Sequence, residues 1–211
     1  MEKLDIKNLE KLLKAEPSEK LLLRAIKGLK VEKKDIKSRC ILVFICLILG
    51  TAVGIHKDTV IIFRDNVDTI LNILLALFGV IFTGYSLLQA FMNKKMLLQL
   101  LEDTKVDENG EEKSRLQDIN ENFVYLMLLQ VVGIMTALII KIVLLCVADN
   151  FTLFMSIIIN NIIAMGLISA YFIFIGIILW RTVSFVSSIF QLFNIYAVTR
   201  VLEMIDEEEK Q

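Results

Sequence analysis

The chain contains one proline, Pro17, and one histidine, His56. Transporters that alternate access on broken helices carry Gly/Pro interruptions inside their spans. No apolar stretch here holds a proline, so that mechanism is disfavoured. A single histidine leaves Ser–His and Cys–His nucleophilic catalysis without a well-placed base. The three cysteines, Cys40, Cys46 and Cys146, lie in or beside apolar runs with no carboxylate near them in sequence. They lack a zinc ligand set and read as small packing residues. The long apolar stretches contain no carboxylate, which weighs against proton- or sodium-coupled transport and against a catalytic acid pair. A phosphate-binding loop, a dinucleotide fingerprint, a zinc motif and a nucleophile elbow are all missing. Asp107, Asn109 and Gly110 resemble part of a calcium loop. With Gly110 at its sixth position, the first and twelfth would be Lys105 and Leu116, which cannot ligate. No cofactor or metal site follows from the sequence, and an enzyme is the least favoured class.

Apolar residues are what the chain has in excess. Of its 211 residues, 56% are hydrophobic, and the mean hydropathy is +0.66. Soluble domains run at roughly 45–50% apolar. The excess is gathered into blocks, and a helix crossing the hydrocarbon core needs about 20 mostly apolar residues. Four stretches qualify: 40–56, 69–92, 123–148 and 153–180. The expected fold is all-α, a four-transmembrane-helix bundle with cytoplasmic amphipathic helical extensions. Residues 1–39 are charged and lack the apolar core of a signal peptide, so the first span is expected to direct insertion.

Basic residues set the orientation. Residues 1–39 hold twelve of the 23 Lys and Arg; the loop 93–122 holds five, and 181–211 three. The other side has only Lys57 and Arg64. The positive-inside rule then places both termini and the 93–122 hairpin in the cytoplasm.

The cytoplasmic segments carry helical patterns. Leu9, Leu12 and Leu13 predict a short amphipathic helix over 4–15. Pro17 interrupts, and a basic amphipathic helix over 18–37 follows, with Leu22, Ala25, Ile26 and Leu29 on one stripe. Such a helix beside a span lies against anionic headgroups, packs on the ends of the spans, or is a solvated collar. Asp107 to Gly110 signal a turn within a helical hairpin joining spans two and three. After Trp180 the pattern continues without Gly or Pro to Ile205. It has a polar stripe (Ser184, Ser187, Ser188, Gln191, Asn194) and an apolar face with Phe185, Val186, Ile189, Phe190, Phe193 and Tyr196. The loops on the far side, 57–68 and 149–152, are short, and within the first the patch Val60-Ile-Ile-Phe63 is either an interfacial turn of helix or an early start of the second span. Having so little on that side disfavours a receptor for large external ligands. The basic N-terminus has no nucleic-acid motif, so no direct nucleic-acid binding is expected.

Within the spans, Lys141 is the only ionisable residue, near enough to the outer end to snorkel, with Asp65, Asp68 and Asp149 as candidate partners. The candidate polar positions are Asn72, Gln130, Lys141, Asn160 and Asn161. Small residues recur at four-residue spacing: Gly50 with Gly54, Gly79 with Thr83, Gly133 with Ala137, and Gly166 with Ala170. Such pairs let helix backbones approach. They serve either packing within one bundle or a homo-oligomer, and a pore lined by Asn160 or Asn161 is the sharper alternative. No span shows a long continuous polar stripe, which favours an oligomeric sensor or anchor with a soluble cytoplasmic protein partner over an ion channel or membrane-perturbing effector.

The segment Asn72-Ile-Leu-Leu-Ala-Leu-Phe-Gly-Val-Ile-Phe-Thr-Gly84, with Leu179-Trp-Arg-Thr-Val-Ser-Phe-Val-Ser-Ser-Ile-Phe-Gln-Leu-Phe193, resembles patterns in small multispan proteins of bacterial anti-phage defence islands. Size and span count are similar to those of the Kiwa membrane subunit. The resemblance implies an oligomeric membrane sensor of phage attack that engages a soluble effector acting on nucleic acid. It assigns no role to any single residue.

Overall fold

A computed structural model describes residues 17–27, 36–92, 94–106, 112–149, 151, 152, 154 and 156–208. The expected helix over 4–15 and the turn 107–110 lie outside the described residues. The described elements run α1 (Ser18–Lys27), α2 (Ile36–Ile55), α3 (Thr59–Phe91), α4 (Lys94–Glu102), β1 (Thr104–Val106), β2 (Glu112–Ser114), α5 (Arg115–Cys146) and α6 (Ile157–Glu208). The architecture is all-α apart from one short hairpin. Helices α2, α3, α5 and α6 are long and apolar enough to cross a membrane. Their outward faces are large and apolar: Phe44 is 64% exposed, Val80 65% and Leu145 61%. Water would make such surfaces costly, whereas lipid tails are as apolar as the side chains themselves.

The spans form two antiparallel pairs, α2 with α6 and α3 with α5. A core of Val67, Leu71, Leu74, Ala137, Tyr171, Ile175 and Ile178 joins α6 to α3 and α5. A second core lies toward the termini. Ile81 and Leu88 of α3, Leu100 of α4, and Leu116, Phe123 and Leu126 of α5 meet there, with Phe185 and Ile189 of α6 packed against them. Phe123 sits edge-on to Phe185, ring centroids 4.3 Å apart. Together these contacts hold the part of α6 between Tyr171 and Ile189.

Several boundaries differ from the sequence reading. The second span starts at Thr59, ten residues before the expected 69, so most of the supposed loop 57–68 is helix. Only His56, Lys57 and Asp58 turn the chain. Thr59 Oγ1 donates to Val53 O and His56 O, occupying carbonyls left open at the end of α2. Asp65 and Asp68 therefore lie in the helix of a candidate span, and the expected absence of carboxylates there is corrected. The far-side connection after α5 is longer than the expected 149–152, because α5 ends at Cys146 and α6 begins at Ile157.

The inner hairpin also departs from all-helix. Residues 104–106 and 112–114 pair antiparallel, with Thr104 opposite Ser114. Ser114 is buried and caps α5 by accepting a hydrogen bond from Gln117 N at 3.3 Å. The helix thus starts at Arg115, directly after the second strand. After Trp180 no break occurs: span and extension are one helix of 52 residues, about 78 Å at 1.5 Å per residue.

Candidate functional site

The glycine pairs separate by environment. A Cβ built on Gly50 would lie 2.7 Å from Ser169 Cα and 2.8 Å from Ser169 N, and would also meet Ser169 Oγ. On Gly54 it would lie 2.8 Å from both Cα and N of Met165. Here α2 meets the backbone of α6, and only glycine allows that approach. Gly133 faces the core, where a Cβ would meet Ile178 Cδ1 at 3.0 Å and Leu74 Cδ1 at 3.3 Å. Gly79 and Gly166 differ: nothing lies within 4 Å of a Cβ at either. Within the single chain they form no seam, because both point away from the neighbouring helices.

The polar positions separate in the same way. Gln130 is fully buried, and its Nε2 donates to Thr182 Oγ1 at 2.9 Å. Thr182 Oγ1 in turn donates to Ile178 O at 3.0 Å. Gln130 Oε1 is buried with no hydrogen-bond partner among the described residues. Asn160 is engaged locally: its Oδ1 accepts from Phe154 N at 2.8 Å and its Nδ2 donates to Phe154 O at 2.7 Å. This clamp folds the far-side connection onto the start of α6, and Asn161 lies half-buried beside it.

Lys141 pairs with Asp68 at 2.5 Å. Arg64 adds a second tie between α3 and α5. Its Nη2 donates to Leu144 O at 2.9 Å and to Asp149 Oδ1 at 3.1 Å, with Val147 O at 3.5 Å. One guanidinium thus occupies carbonyls at the end of α5. The sequence reading missed Arg64 and Thr182 as site residues; Arg64 was counted as a loop cation, although its spacing to Asp68 on one helix was a usable signal. On the terminal side, Lys113 pairs with Glu121 and Arg115 with Asp103, each at 3.1 Å.

One face of α3 is uncovered and unlike the rest of the lipid-facing surface. Asp65, Thr69, Asn72, Ala76, Gly79, Thr83, Ser86 and Ala90 alternate at spacings of four and three, and all are exposed. Every position on this line is small or polar, whereas Ile73, Leu75, Val80, Phe82 and Leu87 flank it. Thr69, Thr83 and Ser86 donate to carbonyls four residues back, leaving Asn72 as the amide without a described partner. The line is small and polar rather than continuously polar, since Ala76, Gly79 and Ala90 interrupt it, and all of it except Asp65 lies within the expected span 69–92.

Beyond Ile189, each α6 side chain that is described is exposed. Phe190 is 65% exposed, Val201 55% and Met204 52%. The sequence reading put Phe185, Ile189, Phe190 and Phe193 on a single face. The structure divides them, with Phe185 and Ile189 turned to the bundle.

Among the described residues no three His, Cys, Asp or Glu side chains gather to hold a metal ion. No protein family model, curated protein or solved structure matches the chain.

Proposed function

We propose that this chain is a non-enzymatic, oligomeric protein of the bacterial inner membrane, with cytoplasmic termini, that senses or anchors at the membrane and engages a soluble cytoplasmic protein. The observation that carries this reading is the extension of α6. A helix continuous with a span leaves the bilayer along its own axis, and from Phe190 to Met204 it exposes apolar side chains where lipid no longer covers them. Exposed apolar stripes of that length mark protein contact surfaces. The resemblance to anti-phage defence proteins supplies one setting for such coupling.

The test is site-specific photocrosslinking in cells. Probes at Phe190 and Val201 are expected to capture one soluble protein. Capture should be lost with Phe193→Glu, and a probe at Ile158 on the far side should not show it. Equal labelling from both ends, or none, refutes the reading.

The polar line on α3 favours a second reading, an oligomeric ion channel. In an assembly, Asn72, Thr83 and Ser86 would line a shared surface at matching depths. A voltage-sensitive dye in cells expressing the chain alone decides between them. Collapse of the membrane potential, relieved by Asn72→Leu, establishes the channel; an intact potential with normal membrane expression leaves the sensor or anchor.

A further inference from the structure

The side of α3 turned away from the bundle is the wrong one to give to lipid. Its core positions, Val67, Leu71, Leu74, Ile81 and Leu88, are buried. At 3.6 residues per turn, Thr69, Asn72, Ala76, Gly79, Thr83 and Ser86 lie on the opposite side, and all six are exposed. Acyl chains have nothing to offer a hydroxyl or an amide. Small and hydroxylated residues in a span gather where a second helix packs. This chain already uses them so, since Gly50 and Gly54 admit the backbone of α6. Around a Cβ on Gly79 nothing lies within 4 Å.

Asn72 adds a separate demand. The hydroxyls of Thr69, Thr83 and Ser86 are already bonded to carbonyls of their own helix, whereas the Asn72 amide has no described partner. Its depth follows from α5. Leu74 lies against Gly133, and Gly133 is about 16 Å along the helix from Asn122, where α5 turns from polar to apolar. Asn72 is therefore well inside a hydrocarbon core about 30 Å thick. Neither water nor an acyl chain bonds an amide at that depth; a group carried by another membrane helix does.

We infer that this line on α3 is a dry seam between two copies of the chain, related by a two-fold axis along the membrane normal. Copies share orientation and depth, so α3 lies parallel to its counterpart and each residue of the seam meets its own copy. An amide holds both donors and an acceptor, so Asn72 satisfies the partner's Asn72, and the other polar members of the line require nothing. Asp65 lies on the same line and would repel its copy in a parallel-sided contact. Small-residue seams cross at about 40°. With the crossing at Ala76, that angle parts the helices by about 11 Å more at Asp65, toward the far boundary. The inference rests on the oligomeric part of the proposed function and names its contact surface; a dry seam there leaves no place for a pore.

The test uses the full chain in membranes, with Cys40, Cys46 and Cys146 replaced by alanine and one of Ala76→Cys, Gly79→Cys, Leu75→Cys or Val80→Cys added. Oxidation should link the Ala76→Cys and Gly79→Cys chains into a species of twice the chain mass, several-fold more than Leu75→Cys or Val80→Cys. A membrane-impermeant thiol reagent should modify none of the four. Adding Asn72→Leu should weaken association by about three- to tenfold and lower the linked fraction accordingly. Equal linking at all four positions, or none at 76 and 79, overturns the inference. A linked species of any other mass does so too, since it would put a different membrane protein on the line. Modification at 76 and 79 by the impermeant reagent would make the line water-facing, with the same result. The soluble partner takes no part in this experiment, so a missing link here leaves capture by the α6 probes standing, and lost capture leaves the seam standing.

Discussion

Replacing Gly50 and Gly54 by alanine should loosen the first span from the fourth, while the same change at Gly79 and Gly166 should not. In an exposed helix interior, glycine to alanine is worth roughly 0.5–1 kcal/mol of stabilisation. Gly79 and Gly166 have open space around a Cβ, so Gly79→Ala and Gly166→Ala should hold or raise the melting temperature in mild detergent. At Gly50 and Gly54 the new methyl lands 2.7–2.8 Å from backbone atoms of Ser169 and Met165. Backbone cannot rotate aside as a side chain can, so the helices must part by about 1 Å. A gap of that order forfeits a quarter to a half of each dispersion contact along the seam, and overpacking of this kind costs about 1–3 kcal/mol. The sites are one turn apart on the same seam, so the double variant should cost less than the sum of the singles. The assay is thermal unfolding of the purified protein, followed by loss of a crosslink engineered between α2 and α6. A Gly50→Ala or Gly54→Ala protein that melts at or above the parent temperature with the crosslink intact would refute the pairing of α2 with α6 at Ser169 and Met165.

Three further outcomes follow from the polar contacts. Thr182→Val leaves the buried Gln130 amide without its partner and should cost about 1–3 kcal/mol, whereas adding Gln130→Leu should restore most of the loss, since neither group is then stranded; a double-mutant cycle in detergent melts measures this. Arg64→Met removes the donor to Leu144 O and Asp149 and should destabilise the protein by about 1–3 kcal/mol, with Asp149→Asn costing less because that carboxylate is the more exposed partner; equal melts for parent and Arg64→Met would count against the tie. Asn160→Leu should make the connection 147–156 sensitive to protease added on that side and leave the membrane potential unchanged.

The four apolar helices were legible because a bilayer demands long uninterrupted hydrophobicity, and that property belongs to each segment alone. What escaped depends on a second segment. The start of α3 was placed too late because Arg64, Asp65 and Asp68 look like loop residues. In the fold Arg64 and Asp68 are matched by Asp149, just past the end of α5, and Lys141 within it, so two of these charges enter the helix already paired. Gly50 and Gly79 sit in similar small-residue spacings, yet one touches a backbone and the other nothing; spacing fixes which side of a helix a residue is on but not what lies opposite. Asn160 read as intramembrane polarity, and its actual partner is Phe154, six residues away in an irregular stretch that carries no periodic signal. The strands at 104–106 and 112–114 are three residues each with charged members, too short for alternation to show.

The length of α6 has a mechanical consequence. The bundle holds it from Met165, against Gly54, to Ile189. From Ile178, near the middle of the grip, to Glu208 is about 30 residues, or about 45 Å at 1.5 Å per residue. A tilt of about 10° at the grip then sweeps the tip through about 8 Å, a width close to that of a helix. No glycine or proline after Gly176 offers a joint to absorb the motion. The helix is therefore a lever, and a rearrangement among side chains inside the bilayer, too small to alter the bundle's outline, is delivered to the far tip as a displacement large enough to make or break a protein contact.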